Sequence, residues 1–287
     1  MAAALTASPA MSVRSCRGVS AGGYHRLSYV EWGDAANARV ALCVHGLTRN
    51  ARDFDHWLRA LARTYRVICP DVVGRGRSGW LTDPAGYTYP QYIADMAVVL
   101  AHAGADKVDL IGTSMGGLIG MMMAALDDSP IERLVINDIG PWLPRAARNG
   151  FAVTSGSTRP SPDLDAMERH LRSISAGFGP LTDDDWRHLC VHGAREVPGG
   201  YAYRYDPGIR AVFAAVDGDV DLWPVWSKVR QDVLVLRGAE SDLLGADTAR
   251  RMRERNGSTM VVEYPGVGHA PMLMSDDQVG AVVDWLG

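Results

Sequence analysis

Residues 110–117 read Leu-Ile-Gly-Thr-Ser-Met-Gly-Gly, and this stretch decides the fold. The apolar run that precedes it predicts a strand buried on both faces, and the apolar run 115–126 predicts a helix enclosed in the core. A tight turn from strand to helix needs glycine on both sides, and Gly112 and Gly116 supply it. Such a turn holds the Ser114 hydroxyl at a helix N-terminus, where developing negative charge is favoured. The stretch therefore predicts a nucleophilic serine.

The rest of the chain alternates strand and helix patterns. Polar and apolar residues alternate over 24–32, as in a half-buried strand. Continuous apolar runs predict further strands at 39–44, 65–69, 107–111, 134–136, 233–236 and 259–264. Helical spacing of apolar residues predicts helices at 91–103, 248–254 and 277–286. This alternation predicts an α/β fold, a mostly parallel twisted sheet of about eight strands with helices on both faces.

The alternation breaks over 141–221, where the sequence is helical and interrupted by proline and glycine. We expect this segment to be an inserted helical cap lying over the ligand crevice at the carboxyl edge of the sheet. The core is then formed by 23–140 and 222–287. Residues 1–22 are rich in alanine and serine near their start and are expected to be a flexible tail.

Composition excludes several functional classes. The net charge is −4 and no basic run stands out, which argues against nucleic-acid binding. No apolar run reaches the roughly 18 residues of a membrane span. The four cysteines form no Cys-x-x-Cys pair, so reduced thiols and a cytoplasmic location are expected. There is no His-Glu-x-x-His run and no clustered ligand set, so we expect neither a metal nor another cofactor.

Two C-terminal segments supply partners for the serine. The sequence Gly-Val-Gly-His-Ala-Pro at 266–271 follows the last predicted strand and offers His269 as a general base. The base needs a carboxylate that fixes its tautomer, and Asp242, after the preceding strand, is the expected residue. Glu240 could compete for this role, and so could Asp138 at the end of an earlier strand.

The segment His45-Gly46-Leu47-Thr48 ends another predicted strand. Acyl transfer needs two donors aimed at the developing oxyanion. We expect these donors to be the backbone N–H groups of Leu47 and Met115. His45 itself is expected to be structural.

With the turn Asp-Val-Val-Gly-Arg-Gly-Arg-Ser at 71–78, these segments resemble the α/β-hydrolase superfamily, in its cap-bearing branch. The order Ser114, Asp242, His269 is the order found in these enzymes. The resemblance implies a bacterial esterase-like serine hydrolase that cleaves small or medium-sized carboxylic esters through an acyl-enzyme. It also implies that 71–78 is scaffolding. No Lys-Ser/Thr follows the glycines of this turn, which argues against a nucleotide site.

Other activities on the same fold remain open. A lactonase or a carbon–carbon bond hydrolase would use the same three residues, although Arg49-Asn50 departs from the glycine-rich loop of the latter class. A receptor-like protein that binds a ligand and turns it over slowly is a further alternative. Arg49, Trp142 and Tyr203 are the expected substrate-binding residues.

Overall fold

The structure is a computed structural model that describes residues 10–146, 160–210 and 217–287. Its central sheet contains eight strands: β1 (Met11–Ser20), β2 (Gly23–Trp32), β3 (Val40–Val44), β4 (Arg66–Asp71), β5 (Val108–Thr113), β6 (Ile131–Asn137), β11 (Asp232–Gly238) and β12 (Thr259–Tyr264). Their order is β1-β2-β4-β3-β5-β6-β11-β12. The pairs β1–β2 and β2–β4 are antiparallel and the others are parallel. The predicted α/β fold is confirmed.

Helices cover both faces of this sheet: α1 (Asp55–Leu61), α2 (Tyr89–Ala103), α3 (Met115–Ala124), α7 (Ala246–Arg255) and α8 (Asp276–Leu286). Helices α2, α3 and α7 contribute to one apolar cluster, and α1 and α8 contribute to the cluster on the opposite face. Burial from both sides explains why β3 is a continuous apolar run. Among the described residues, no helix combines the length and the apolar character that a membrane span requires.

The N-terminal prediction needs correction. Residues 11–20 are not a flexible tail but strand β1, which pairs with β2 from Met11 opposite Trp32 to Ser20 opposite Gly23. Most side chains of β1 are exposed. Backbone hydrogen bonds along the sheet edge hold this strand, so it carries no hydrophobic alternation that could reveal it. Residues 1–9 lie outside the described residues.

The segment 141–221, here called the inserted segment, leaves and rejoins the core through a short antiparallel ribbon. Strands β7 (Trp142–Leu143) and β10 (Val220–Asp221) form this ribbon. Between them lie α4 (Leu164–Ile174), α5 (Asp183–Gly193) and a hairpin of β8 (Ala194–Val197) and β9 (Gly200–Tyr203), and the short helix α6 (Trp223–Trp226) follows. The hairpin occupies part of a region expected to be helical.

Candidate active site

Ser114 occupies the turn between β5 and α3 in a backbone conformation that residues other than glycine rarely adopt, with φ 53° and ψ −115°. The flanking glycines make this turn possible. A Cβ atom on Gly112 would collide with the backbone of Gly116, and one on Gly116 would collide with the carbonyl oxygen of Val44. The Gly-x-Ser-x-Gly spacing is therefore a steric requirement, because helix α3 begins directly against the end of β3.

His269 lies between Ser114 and a buried carboxylate. Its Nε2 is 2.8 Å from Oγ of Ser114, and its Nδ1 is 2.8 Å from Oδ2 of Asp138. Oδ1 of Asp138 accepts a hydrogen bond of 2.9 Å from the amide of Gly238. Both carboxylate oxygens thus have partners although the side chain is fully buried. The hydroxyl of Ser114, the imidazole of His269 and the carboxylate of Asp138 are connected in that order, which is the geometry of a nucleophile, a base and an orienting acid.

The carboxylate that contacts His269 is that of Asp138 and not that of Asp242, the residue expected from the sequence. Asp138 directly follows β6, which lies between β5 and β11 in the sheet, and its carboxylate contacts Nδ1 of His269. Asp242 and Glu240 lie in the loop after β11 and line the wall of the adjacent cavity. The order of residues along the chain and the order of strands in the sheet fit either aspartate, and the 2.8 Å contact with Nδ1 of His269 identifies Asp138.

The loop after β3 lies close to the serine. A Cβ atom built on Gly46 would be 3.8 Å from Cβ of Ser114, and the amide of Arg49 donates a hydrogen bond of 3.2 Å to the carbonyl oxygen of Gly46. His45 fixes the start of this loop: its Nδ1 is 2.7 Å from the Gly46 carbonyl oxygen, and its Nε2 accepts a hydrogen bond from the amide of Val72. Burial lowers the pKa of His45 to about 3, so the ring is neutral. His45 is structural, as expected.

A cavity of about 470 Å³ opens beside Ser114. Arg49 and Tyr203 line it, whereas Trp142 lies in the ribbon at the base of the inserted segment and packs against the larger apolar cluster, outside the cavity lining. Arg49 is held in place by Asp53, with Nε 2.7 Å from Oδ2 and Nη2 2.8 Å from Oδ1. Two of the three expected substrate-binding residues thus face the cavity.

The inserted segment also contacts the loop that carries the histidine. The amide of Gly268 donates a hydrogen bond of 2.7 Å to the carbonyl oxygen of Gly177. Met272 and Met274, which follow the histidine, pack into an apolar cluster with residues of α4 and α5. One wall of the cavity is therefore formed jointly by the core and the inserted segment.

Comparison with known proteins places this site in context. A model described as the alpha/beta hydrolase family matches residues 41–285. A 3-hydroxybutyrate-oligomer hydrolase from Cupriavidus necator is 42% identical over 285 residues, which cover 96% of this chain and 97% of that protein. The solved structure of a Rickettsia typhi protein is 33% identical with a TM-score of 0.90, and the match covers 96% of this chain and 98% of that one. An alpha/beta hydrolase from Novosphingobium aromaticivorans is 32% identical with a TM-score of 0.85, at the same coverage.

Proposed function

The chain belongs to the α/β-hydrolase family and is an enzyme of the hydrolase class, and on that basis we propose that it cleaves carboxylic esters with Ser114 as the nucleophile. The observation that carries this proposal is the pair of 2.8 Å contacts that join Ser114, His269 and Asp138. A serine alone is a weak nucleophile at neutral pH, and a hydrogen-bonded imidazole that is itself oriented by a carboxylate removes this limitation.

The reaction then proceeds in two stages. His269 takes the proton of Ser114 as Oγ attacks the acyl carbon, and the amides of Leu47 and Met115 hold the oxyanion. The imidazolium, stabilised by Asp138, protonates the leaving alcohol and leaves an acyl-enzyme. Water that is deprotonated by His269 attacks this acyl group, and collapse of the second tetrahedral intermediate releases the acid and restores the serine.

We propose short ester oligomers of 3-hydroxy acids as the substrate class. The Cupriavidus necator relative is named for 3-hydroxybutyrate oligomers, in which each linkage is an ester between a carboxyl and a secondary hydroxyl group. The cavity of about 470 Å³ has the size of a small-molecule site. The inserted segment acts as the cap of this site, with Arg49 and Tyr203 in contact with substrate. The four cysteines are all free thiols, which supports a cytoplasmic enzyme.

The test compares wild type, Ser114→Ala and Ser175→Ala on p-nitrophenyl butyrate and on the linear dimer and trimer of 3-hydroxybutyrate. Ser175 also lines the cavity but has no proposed role in the reaction, so it controls for the loss of a cavity hydroxyl. We expect Ser114→Ala to lower kcat by a factor on the order of 10⁴ and Ser175→Ala to lower it by less than about tenfold.

Three results would contradict parts of this proposal. Equal rates for wild type and Ser114→Ala would remove the serine mechanism. Turnover of p-nitrophenyl butyrate with no release of 3-hydroxybutyrate from the oligomers would reject the substrate class but keep the mechanism. Opening of a lactone at a higher kcat/KM than that for the dimer would replace linear oligomers with cyclic esters.

A further inference from the structure

Three potential metal ligands meet where the inserted segment rests on the core. Asp55 is the first residue of α1, and His188 and His192 lie one turn apart on α5. One donor atom from each of the three residues lies within 4.8 Å of the other two. More than 130 residues separate Asp55 from the histidines in the sequence, so only the fold brings the three side chains together. None of them lines the cavity beside Ser114.

The carboxylate of Asp55 is incompletely satisfied. Its side chain is only 9% exposed, and its Oδ2 accepts a hydrogen bond of 2.6 Å from Nε of Arg52. Its Oδ1 is buried and has no hydrogen-bond partner among the described residues. A buried carboxylate oxygen without a partner costs about 1–3 kcal/mol or more, so native proteins seldom leave one in this state. The free oxygen indicates a ligand that completes the cluster.

The imidazole rings of His188 and His192 lie next to each other. Their centroids are 4.5 Å apart, as expected for residues at positions i and i+4 of a helix. Nε2 of His188 is 3.8 Å from Oδ2 of Asp55 and 2.9 Å from the carbonyl oxygen of Arg52. Ligands of a tetrahedral zinc ion are separated by about 3.3 Å, given metal–ligand bonds of about 2.0–2.1 Å. Side-chain rotations would close the cluster around an ion, and binding through Nε2 of His188 would release the proton that this nitrogen donates to the Arg52 carbonyl oxygen.

We propose that Asp55, His188 and His192 bind a divalent transition-metal ion of the zinc class. Two imidazoles and one carboxylate suit zinc, whereas calcium and magnesium require oxygen ligands. The fourth position is open to water or to the Arg52 carbonyl oxygen. The guanidinium of Arg52 stays on Oδ2 of Asp55, and the ion takes the free oxygen.

The ion would join helix α5 of the inserted segment to helix α1 of the core. This attachment affects the wall of the cavity, because α5 also carries Leu189, whose carbonyl oxygen is 3.5 Å from Nη2 of Arg49. We infer a structural role for the ion, because none of its three ligands lines the cavity beside Ser114. The ion would fix the position of the inserted segment beside the cavity and would take no part in the hydrolytic reaction. The metal-site proposal is therefore independent of the proposed ester substrate.

The test uses protein whose affinity tag has been removed and whose metals have been stripped with EDTA. Zinc chloride is titrated by calorimetry into wild type, His188→Gln/His192→Gln, Asp55→Asn and His170→Gln, and thermal unfolding is recorded with and without zinc. His170 is the matched control, since it is a helical histidine of the same segment that contacts Tyr203 instead. Magnesium chloride serves as the control ion.

We expect wild type and His170→Gln to bind one zinc ion and to gain thermal stability. We expect the double variant to bind at least about 100-fold more weakly and Asp55→Asn at least about 10-fold more weakly. Circular dichroism of the metal-free proteins checks that each variant is folded. Equal zinc affinity in wild type and the double variant would overturn the proposal, as would an equal stabilisation by magnesium. The first result would assign zinc binding to other groups, such as the free thiols, and the second would assign the stabilisation to a site that does not select zinc.

Discussion

Nε of Arg75 donates a hydrogen bond of 2.8 Å to the carbonyl oxygen of Leu47. Arg75 is completely buried, and its Nη2 lies 3.5 Å from Sδ of Met115. Its Nη1 donates to the carbonyl oxygen of Val73 and to the hydroxyl of Tyr92. One guanidinium thus contacts both residues whose amides are proposed to bind the oxyanion, and it anchors them to the turn that follows β4.

We therefore expect Arg75 to act as a positioning residue, and Arg75→Lys should lower kcat with little change in KM. An ammonium group cannot reproduce the planar set of donors, so the peptide groups around Leu47 lose their fixed orientation. Removing an oxyanion donor outright costs about 10²–10³ in kcat, and a misplaced donor should cost about 10–100-fold. Steady-state kinetics on p-nitrophenyl butyrate gives both constants.

The matched control for this prediction is Arg77→Lys in the same turn. Arg77 stabilises the turn through its backbone amide, which donates a hydrogen bond to Oδ2 of Asp71. Arg77→Lys leaves this hydrogen bond in place. A rise in KM alone for Arg75→Lys, or an equal loss of kcat in the two variants, would show that Arg75 does not act through the oxyanion site.

Replacing each aspartate with asparagine tests whether Asp138 or Asp242 is the acid that orients His269. Asp138→Asn should reduce kcat by about 10³–10⁴, because an amide cannot stabilise the imidazolium of His269 or enforce its tautomer. Asp242→Asn should reduce kcat by less than about tenfold, since this carboxylate lines the cavity wall. Stopped-flow measurement of the acylation rate on p-nitrophenyl butyrate checks both values. The reverse ranking would restore Asp242 as the acid.

Gly116→Ala should prevent folding or lower the free energy of unfolding by at least about 3 kcal/mol. The added methyl group would collide with the backbone of Val44, which cannot move away because β3 lies inside the sheet. Gly280→Ala on α8 is the matched control. Its Cβ would enter open space, so we expect a gain of about 0.5–1 kcal/mol. Urea unfolding followed by circular dichroism measures both effects, and a soluble Gly116→Ala protein of wild-type stability would contradict the steric account.

His45 should make the enzyme less stable in acid. Its pKa is about 3 in the folded chain and about 6.5 when unfolded, so the unfolded chain binds the extra proton first. The stability that His45 contributes is present above pH 6.5 and declines as the pH falls from there toward 3. Between pH 7.5 and 5.5 the loss from this group is about 1.4 kcal/mol.

Urea unfolding of wild type and His45→Gln at these two pH values isolates that contribution. Other titrating groups affect both proteins equally, so the difference in pH dependence belongs to His45. Identical pH dependence in the two proteins would show that the buried imidazole takes up a proton as easily as an exposed one.

The sequence predicts the serine and histidine because each has a local signal. Ser114 lies between glycines at a strand-to-helix junction, and His269 follows the last strand in a glycine-rich loop. The acid has no comparable local signal. The choice between Asp138 and Asp242 depends on which carboxylate the folded chain brings to Nδ1 of His269, and such a long-range contact is not encoded by hydrophobic periodicity.

The same reasoning applies to the elements that were missed. Strand β1 is held by backbone pairing at an exposed edge, so its side chains carry little pattern. The spacing of His188 and His192 on one helix face is visible in the sequence, but their third partner, Asp55, is supplied by a distant helix. Arg75 looks like scaffolding in a glycine-rich turn, and only its contact with Leu47 shows what that scaffolding supports.

The hydrogen bond between Gly268 and Gly177 predicts that substrate entry and catalysis affect each other. The loop that presents His269 is tied to the inserted segment, so any excursion that lifts 176–178 from the core also releases the base from its anchor. We therefore expect His269 to act as the proton acceptor of Ser114 only while residues 176–178 rest on the core. Hydrolysis would then take place while the acyl group is enclosed between the inserted segment and the core.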